Sequence, residues 1–141
     1  MAKQEIAIGD VLFLYVEEFG KNKYFILLGE CEDEYVFASF YINTTKNYNF
    51  IPNKEVERFH IKLEAVKYPF LKYDSWLNLT ELFPKSKMHI LSEYAHDPSC
   101  LKYSLTESQL EFFRECVRNC GTIKGKYKKK FAKPEQHRAL E

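Results

Sequence analysis

The sequence predicts a mainly β protein: a small antiparallel barrel with a C-terminal α-helix closing one mouth or flank. Three observations carry that expectation. Aromatic residues make up 16% of the 141-residue chain, with 12 Phe and 10 Tyr against only 5 Gly, and large flat side chains suit half-buried sheet positions. The first third holds three dense apolar runs separated by short turn-forming stretches, the pattern of consecutive strands that pair antiparallel. One stretch near the C-terminus carries helix signals at both of its ends.

Taken in order, Asp10–Glu18 and Lys23–Cys31 are the first two strands, and Phe19-Gly20-Lys21-Asn22 supplies the glycine and asparagine of a hairpin turn. Glu32–Glu34 turns the chain into a third strand, Tyr35–Asn43. Residues 44–56 are polar, contain Pro52 and read as a loop. Arg58–Val66 alternates, with Phe59, Ile61 and Leu63 on one face and His60, Lys62 and Glu64 on the other, as a half-exposed strand does. Leu71–Leu79 reads as a further strand, Thr80–Pro84 as a helical turn stopped by its proline, Met88–Leu91 as a short strand and Ser92–Cys100 as a loop. The clearest helix is Glu107–Cys120: Thr106 and Gln109 form a capping box, and Leu105 with Leu110 form a hydrophobic staple. Leu110, Phe113, Cys116, Val117 and Cys120 share its apolar face. Gly121 stands where a left-handed cap ends many helices. Residues 1–121 are thus expected to form a single domain, and residues 122–141 a basic, mobile tail.

Composition narrows the function classes. With 45% hydrophobic and 29% charged residues, the chain is not disordered as its main state. No apolar run approaches the ~18 residues that span a bilayer, and the N-terminal stretch MAKQEIAIGD lacks an apolar signal region. A cytoplasmic protein without membrane contact is expected, with the thiols of Cys31, Cys100, Cys116 and Cys120 reduced. The formal net charge of +1 conceals an asymmetry: residues 122–141 hold seven Lys or Arg and two acids, and the remainder is net acidic. A dedicated duplex-DNA reader should carry its basic charge on the folded face, so any nucleic-acid contact is expected to lean on the tail.

IGDVLFLYVEEFGKNKYFILLGE resembles the opening of MazF/PemK-like toxins, in which a Gly-Asp-Val strand start leads through a variable loop to a basic residue before an apolar strand. VFASFYINTT is similar to their third strand, which ends in a hydroxyl residue. YPFLKYDSWLNLTEL resembles a Pro-Phe-Leu-x-x-Asp-Ser-aromatic segment of divergent PemK-like proteins, in which a terminal helix like TESQLEFFRECV follows. The likeness runs over residues 8–120. It implies an SH3-like barrel, often homodimeric, and in active members metal-independent cleavage of single-stranded RNA, with an acidic antitoxin as partner and no cofactor or metal. By the same resemblance Lys23 stands at the position of an arginine, Tyr24 at that of a proline, and Thr44 (or Thr45) at that of the hydroxyl residue; Asp74 and Ser75 belong to the same site. Such a site needs little beyond in-line placement of the ribose 2′-OH and a cation against the phosphoryl oxygens.

Each candidate also has an ordinary use. Lys23 suits a solvated strand start, Thr44 and Thr45 a turn, and Asp74-Ser75 a hydrogen bond to the local backbone. His60 has a titration range suited to acid–base work but no evident partner. In the tail, Lys128 and Lys130 are candidate binding residues, because GKYKKKFAK interleaves Tyr127 and Phe131 with lysines, a combination that binds single strands by stacking and phosphate attraction. The alternative to a ribonuclease is a non-enzymatic SH3-like module that binds a partner protein or peptide.

Overall fold

In the computed structural model of the chain, residues 5–32, 34–42, 60–73, 75–79, 82–121, 123–131 and 140 are described. The strands are β1 (Asp10–Val16), β2 (Lys21–Glu32), β3 (Tyr35–Ile42), β4 (His60–Leu63), β5 (Ser75–Asn78), β6 (Phe83–Ser86) and β7 (Leu101–Ser104). Their order is β4-β5-β3-β2-β1-β7, and every pairing is antiparallel. β3 shares its second edge between two partners: β6 takes its N-terminal half, with Val36 opposite Lys85, and β5 takes its last residues, with Ile42 opposite Trp76. Among the described residues no pairing joins β7 to β4. The fold is therefore a mainly antiparallel β structure with helices gathered toward the C-terminus.

The hairpins form for local reasons. Glu17–Phe19 makes a 3-10 turn that ends on Gly20 at φ 63°, a left-handed conformation that glycine adopts without a Cβ penalty. Gly9, at φ 99°, does the same before β1. The Asp10 carboxylate next to it is buried, and it accepts the Ala7 N–H at 2.9 Å and the Ser104 hydroxyl at 2.7 Å. The Gly-Asp start thus ties the first turn to the edge strand β7.

β2 is bent. Its register against β3 shifts between Leu27 and Gly29 and again between Glu30 and Glu32, and such bulges bend a strand and deepen its twist. The effect is visible across the sheet. Lys85 of β6 lies level with Glu30 of β2 through Val36, about 30 Å along a straight β2 from its start. Yet Lys85 Nζ contacts the Glu18 carboxylate at 2.9 Å, and the rings of Phe83 and Phe19 are 6.4 Å apart. Only a strongly coiled sheet brings those positions together.

Two helices follow, α1 (Lys87–His96) and α2 (Glu107–Asn119). α2 has the capping box expected of Thr106 and Gln109, and buries Leu110, Phe113 and Val117. Arg114 is buried with them, fully out of solvent. Its guanidinium donates to the Leu28 carbonyl of β2 at 2.7 Å and lies 4.4 Å over the Phe131 ring. It reaches there because Gly29 has no side chain: a Cβ at that position would stand 2.6 Å from Arg114 Nη1.

Several expectations need correction. Phe83–Ser86 is a strand rather than part of a helical turn; among the described residues β6 pairs with β3 alone, and an edge strand tolerates the missing N–H of Pro84. Residues 87–96 are a helix rather than a strand and a loop, because Ser86 caps it by accepting the His89 N–H at 3.2 Å. The strand expected over Leu71–Leu79 is confined to Ser75–Asn78. Gly121 is not a left-handed cap: Cys120 closes α2 in an extended conformation, and the positive-φ glycines are Gly9 and Gly20. Residues 123–131, expected as the start of a mobile tail, are packed. They form α3 (Gly125–Lys128) and a 3-10 turn over Lys129–Phe131, with Ile123 and Phe131 buried. Phe131 stacks on Phe37 of β3 at 5.9 Å, and Arg118 of α2 donates to its carbonyl.

Gly29→Ala should therefore lower the unfolding free energy by about 1–3 kcal/mol, the usual cost of forcing extra atoms into a packed interior. Phe131→Ala should cost about 3–5 kcal/mol. Urea unfolding of both variants checks this; a Phe131→Ala midpoint equal to wild type would mean that the C-terminal segment is not part of the core.

Candidate functional site

Register places the start of β2, the end of β3 and the start of β5 at one end of the sheet. Phe25 faces Phe40, and Ile42 faces Trp76. Lys23 and Ser75 thus belong to the same end, with β3 between their strands. Thr44, Thr45 and Asp74 lie outside the described residues. Ser75 is buried, and its hydroxyl donates to the Tyr73 carbonyl at 3.0 Å, the local backbone use.

Lys23 pairs with Leu14 of β1 and is half-buried. Its ammonium lies 4.4 Å from the centre of the Phe19 ring, an attraction between a cation and the negative face of the ring. Burial holds its pKa below the ordinary lysine value, and the charge of Lys21 pushes it the same way. No carboxylate among the described residues offsets either effect. An anion placed beside a cation that has lost water would favour its charged form.

A second assembly was only partly legible in the sequence. α3 and the turn after it lie against β2, β3 and β6 and leave a cleft of about 690 Å³. Lys126, Lys129 and Lys130 line it together with Tyr35 and Tyr127, over Phe37, Pro84 and the buried Cys31. Tyr127 packs on Phe37 at 4.7 Å, with the ammoniums of Lys126 and Lys124 within 5.4 and 5.7 Å of its ring. Tyr35 is 42% exposed. Of the tail residues singled out from sequence, Lys130 lines the cleft and Lys128 does not, while Phe131 is in the core and unavailable for stacking. Lys126, Lys129 and Tyr35 were missed. The alternation of cations and aromatics marks such a segment, but only tertiary packing sets it opposite Tyr35.

The two assemblies are linked through β6: Phe83 meets Phe19 beneath Lys23, and Pro84 lines the cleft. Pro84 also borders a hollow of about 370 Å³ between β1 and α1, where Leu14, Val16, Phe25 and Ile90 meet Glu17 and Glu93. The rim of the hollow is mixed in charge: Lys85 and His89 line it beside Glu17, Glu18 and Glu93, and Glu18 is paired with Lys85 at 2.9 Å.

Together, fold and site define an antiparallel β protein with a half-buried lysine at one sheet end and a basic, aromatic cleft beside its C-terminal helix. No protein-family model matches the chain, and no curated protein matches it significantly. No helix among the described residues is long and apolar enough to cross a membrane.

If burial governs Lys23, Phe19→Ala should raise its pKa toward the ordinary lysine value by letting water in. A pH titration of the lysine side-chain resonances by NMR checks the direction. An unchanged or lower value would mean that the ring, by stabilising the ammonium, outweighs the burial it causes.

Proposed function

We propose that the chain is a divergent PemK/MazF-like protein on an SH3-like barrel, which binds single-stranded RNA and cleaves it without a metal at Lys23. The observation that carries this reading is the half-buried Lys23 ammonium with no carboxylate partner among the described residues. The coiling of β2 and the β6 contacts to the β1–β2 turn support the barrel. The resemblance supplies the substrate class, an acidic antitoxin and a homodimer as partners, and Thr44 (or Thr45) and Asp74-Ser75 as companions of Lys23.

The chemistry asks one thing of Lys23. The ribose 2′-oxygen forms a bond to the adjacent phosphorus as the bond from phosphorus to the 5′-oxygen breaks. The 2′-OH proton leaves to solvent, and solvent protonates the departing 5′-oxygen. The products are a 2′,3′-cyclic phosphate and a 5′-hydroxyl. Charge on the phosphoryl oxygens peaks between these events, and a fixed ammonium with few competing waters stabilises it more than a solvated one. A second reading, a non-enzymatic module that takes a partner peptide, is favoured by the hollow between β1 and α1, whose apolar floor of Leu14, Val16, Phe25 and Ile90 is bordered by both acids and bases.

Purified protein should cut a mixed-sequence RNA to 2′,3′-cyclic phosphate ends, at the same rate with and without a chelator. Lys23→Ala should lose roughly 10²–10³ in rate, the scale of removing one preorganised charge donor. In the free protein the ammonium is charged below its own pKa, which is lowered, so kcat/KM, which reports the free protein, should fall in alkaline solution before an ordinary lysine would titrate. Lys23→Arg should keep the activity and move that fall to higher pH, because a guanidinium stays charged. RNA left intact by wild type, or cut equally fast by Lys23→Ala, sinks the ribonuclease and leaves the peptide-binding module.

A further inference from the structure

We infer that the cleft between the C-terminal segment and β3 binds one nucleotide unit of a single strand, with the base against Tyr35 and Tyr127 and the flanking phosphates on Lys126, Lys129 and Lys130. This rests on RNA being the ligand, but not on Lys23 cutting it.

Size, charge and surface agree. The cleft of about 690 Å³ falls within the roughly 300–1,000 Å³ typical of small-ligand sites, large enough for a base and its sugar. Its lining combines aromatic and cationic groups. β3 contributes the exposed Tyr35, and the C-terminal segment contributes Tyr127, held in place by Phe37; a base stacks on such rings whatever its sequence. Lys126, Lys129 and Lys130 of the same segment line the cleft as well. No backbone groups arranged for reading base edges are needed, which suits sequence-tolerant stacking. The lysines are also not free chain. The segment that bears them is fastened by Phe131 in the core, by Arg114 over its ring and by Arg118 on its carbonyl. A charge on a fixed support loses less freedom on binding than one on a loose tail. The aromatic lining is what favours a nucleic acid over an acidic polypeptide, since a carboxylate chain has no flat ring to stack.

The test is fluorescence anisotropy of the full chain with a 5′-labelled oligouridine decamer across a salt series, using a polyglutamate peptide as competitor. The Lys126→Ala/Lys129→Ala/Lys130→Ala variant should bind at least about tenfold more weakly and show a salt slope shallower by roughly 0.7 for each lost phosphate contact. Tyr35→Ala should weaken binding about fivefold or more, the range of one lost stack, with little change in slope. Thermal melts must show both variants folded like wild type; substitutions of exposed side chains are expected to leave stability nearly unchanged. If the decamer binds but neither variant matters, the cleft assignment falls while an RNA-binding protein remains. If both variants lose binding while no RNA is ever cut, the cleft stands and cleavage at Lys23 falls. Polyglutamate displacing the decamer at equal charge concentration would overturn the nucleotide assignment in favour of an acidic protein partner.

Discussion

A single buried arginine organises the molecule. Arg114 occupies the core-facing side of α2, where its charge would cost several kcal/mol if left without compensation. Compensation comes from different parts of the described structure: the Leu28 carbonyl in β2, the face of Phe131, and Glu111 one turn earlier on α2, whose carboxylate is 3.9 Å away. Each partner depends on a different part of the chain. The carbonyl is accessible because β2 bulges around Gly29 and carries no side chain there. The ring is present only if residues 123–131 return across the sheet. Arg114 therefore cannot be satisfied by α2 alone, and it couples the bend of the longest strand to the docking of the last segment.

That coupling decides where the positive charge ends up. A free lysine-rich tail would be a diffuse cloud with a mildly acidic body beside it. With Phe131 locked under Arg114 and stacked on Phe37, the lysines just before it become one wall of a cleft whose other wall is β3. Arg118 strengthens the clasp: it reaches the Phe131 carbonyl while its Nη1 bridges Glu111 and Glu115 at 2.6 and 2.7 Å. The glutamates on the outer face of α2 thus hold the arginine that holds the tail. The electrostatic polarity of the surface is a consequence of core packing.

What could be read from sequence was what is decided within a few residues. The capping box of Thr106 and Gln109, the hairpin at Gly20 and the antiparallel run of β1 to β3 have signals shorter than a turn or a strand. What could not be read depends on distant partners. Pro84 looks like a stop signal until it is seen as an edge strand beside β3. Ser86 is an N-cap as recognisable as Thr106, but the proline two residues earlier drew the boundary elsewhere. Arg114 sits one position from Phe113 in an otherwise apolar stripe, and only Gly29, far away in sequence, gives it room. Of the site, Lys23 was singled out on pattern, and its partial burial was not visible. Phe131 reads as a stacking surface in the sequence because aromatic residues among lysines look alike whether they face water or the core, and it is buried.

The lysine at position 23, where the resemblance expects an arginine, is then best weighed against its surroundings. A guanidinium is broad and rigid and needs space for its planar fork. At position 23 the side chain starts from a strand interior, beside Leu14, and ends over the Phe19 ring, which is itself held by Phe83. The half-buried stem of the lysine follows that course, as long charged side chains bury their methylene groups and leave the charge at the tip. The exchange has a chemical cost. An arginine keeps its charge in any environment, whereas a desolvated lysine keeps it only while pH stays below a lowered pKa. A bound phosphate would reverse that shift, because an anion beside the ammonium favours the charged form. Charge at Lys23 and occupancy by an anion are therefore linked: each proton held strengthens the anion's binding, and each anion bound secures the proton. Arginine at the same position would have no such linkage, because its charge is fixed, whereas the charge of a lysine there would be reinforced by a bound anion.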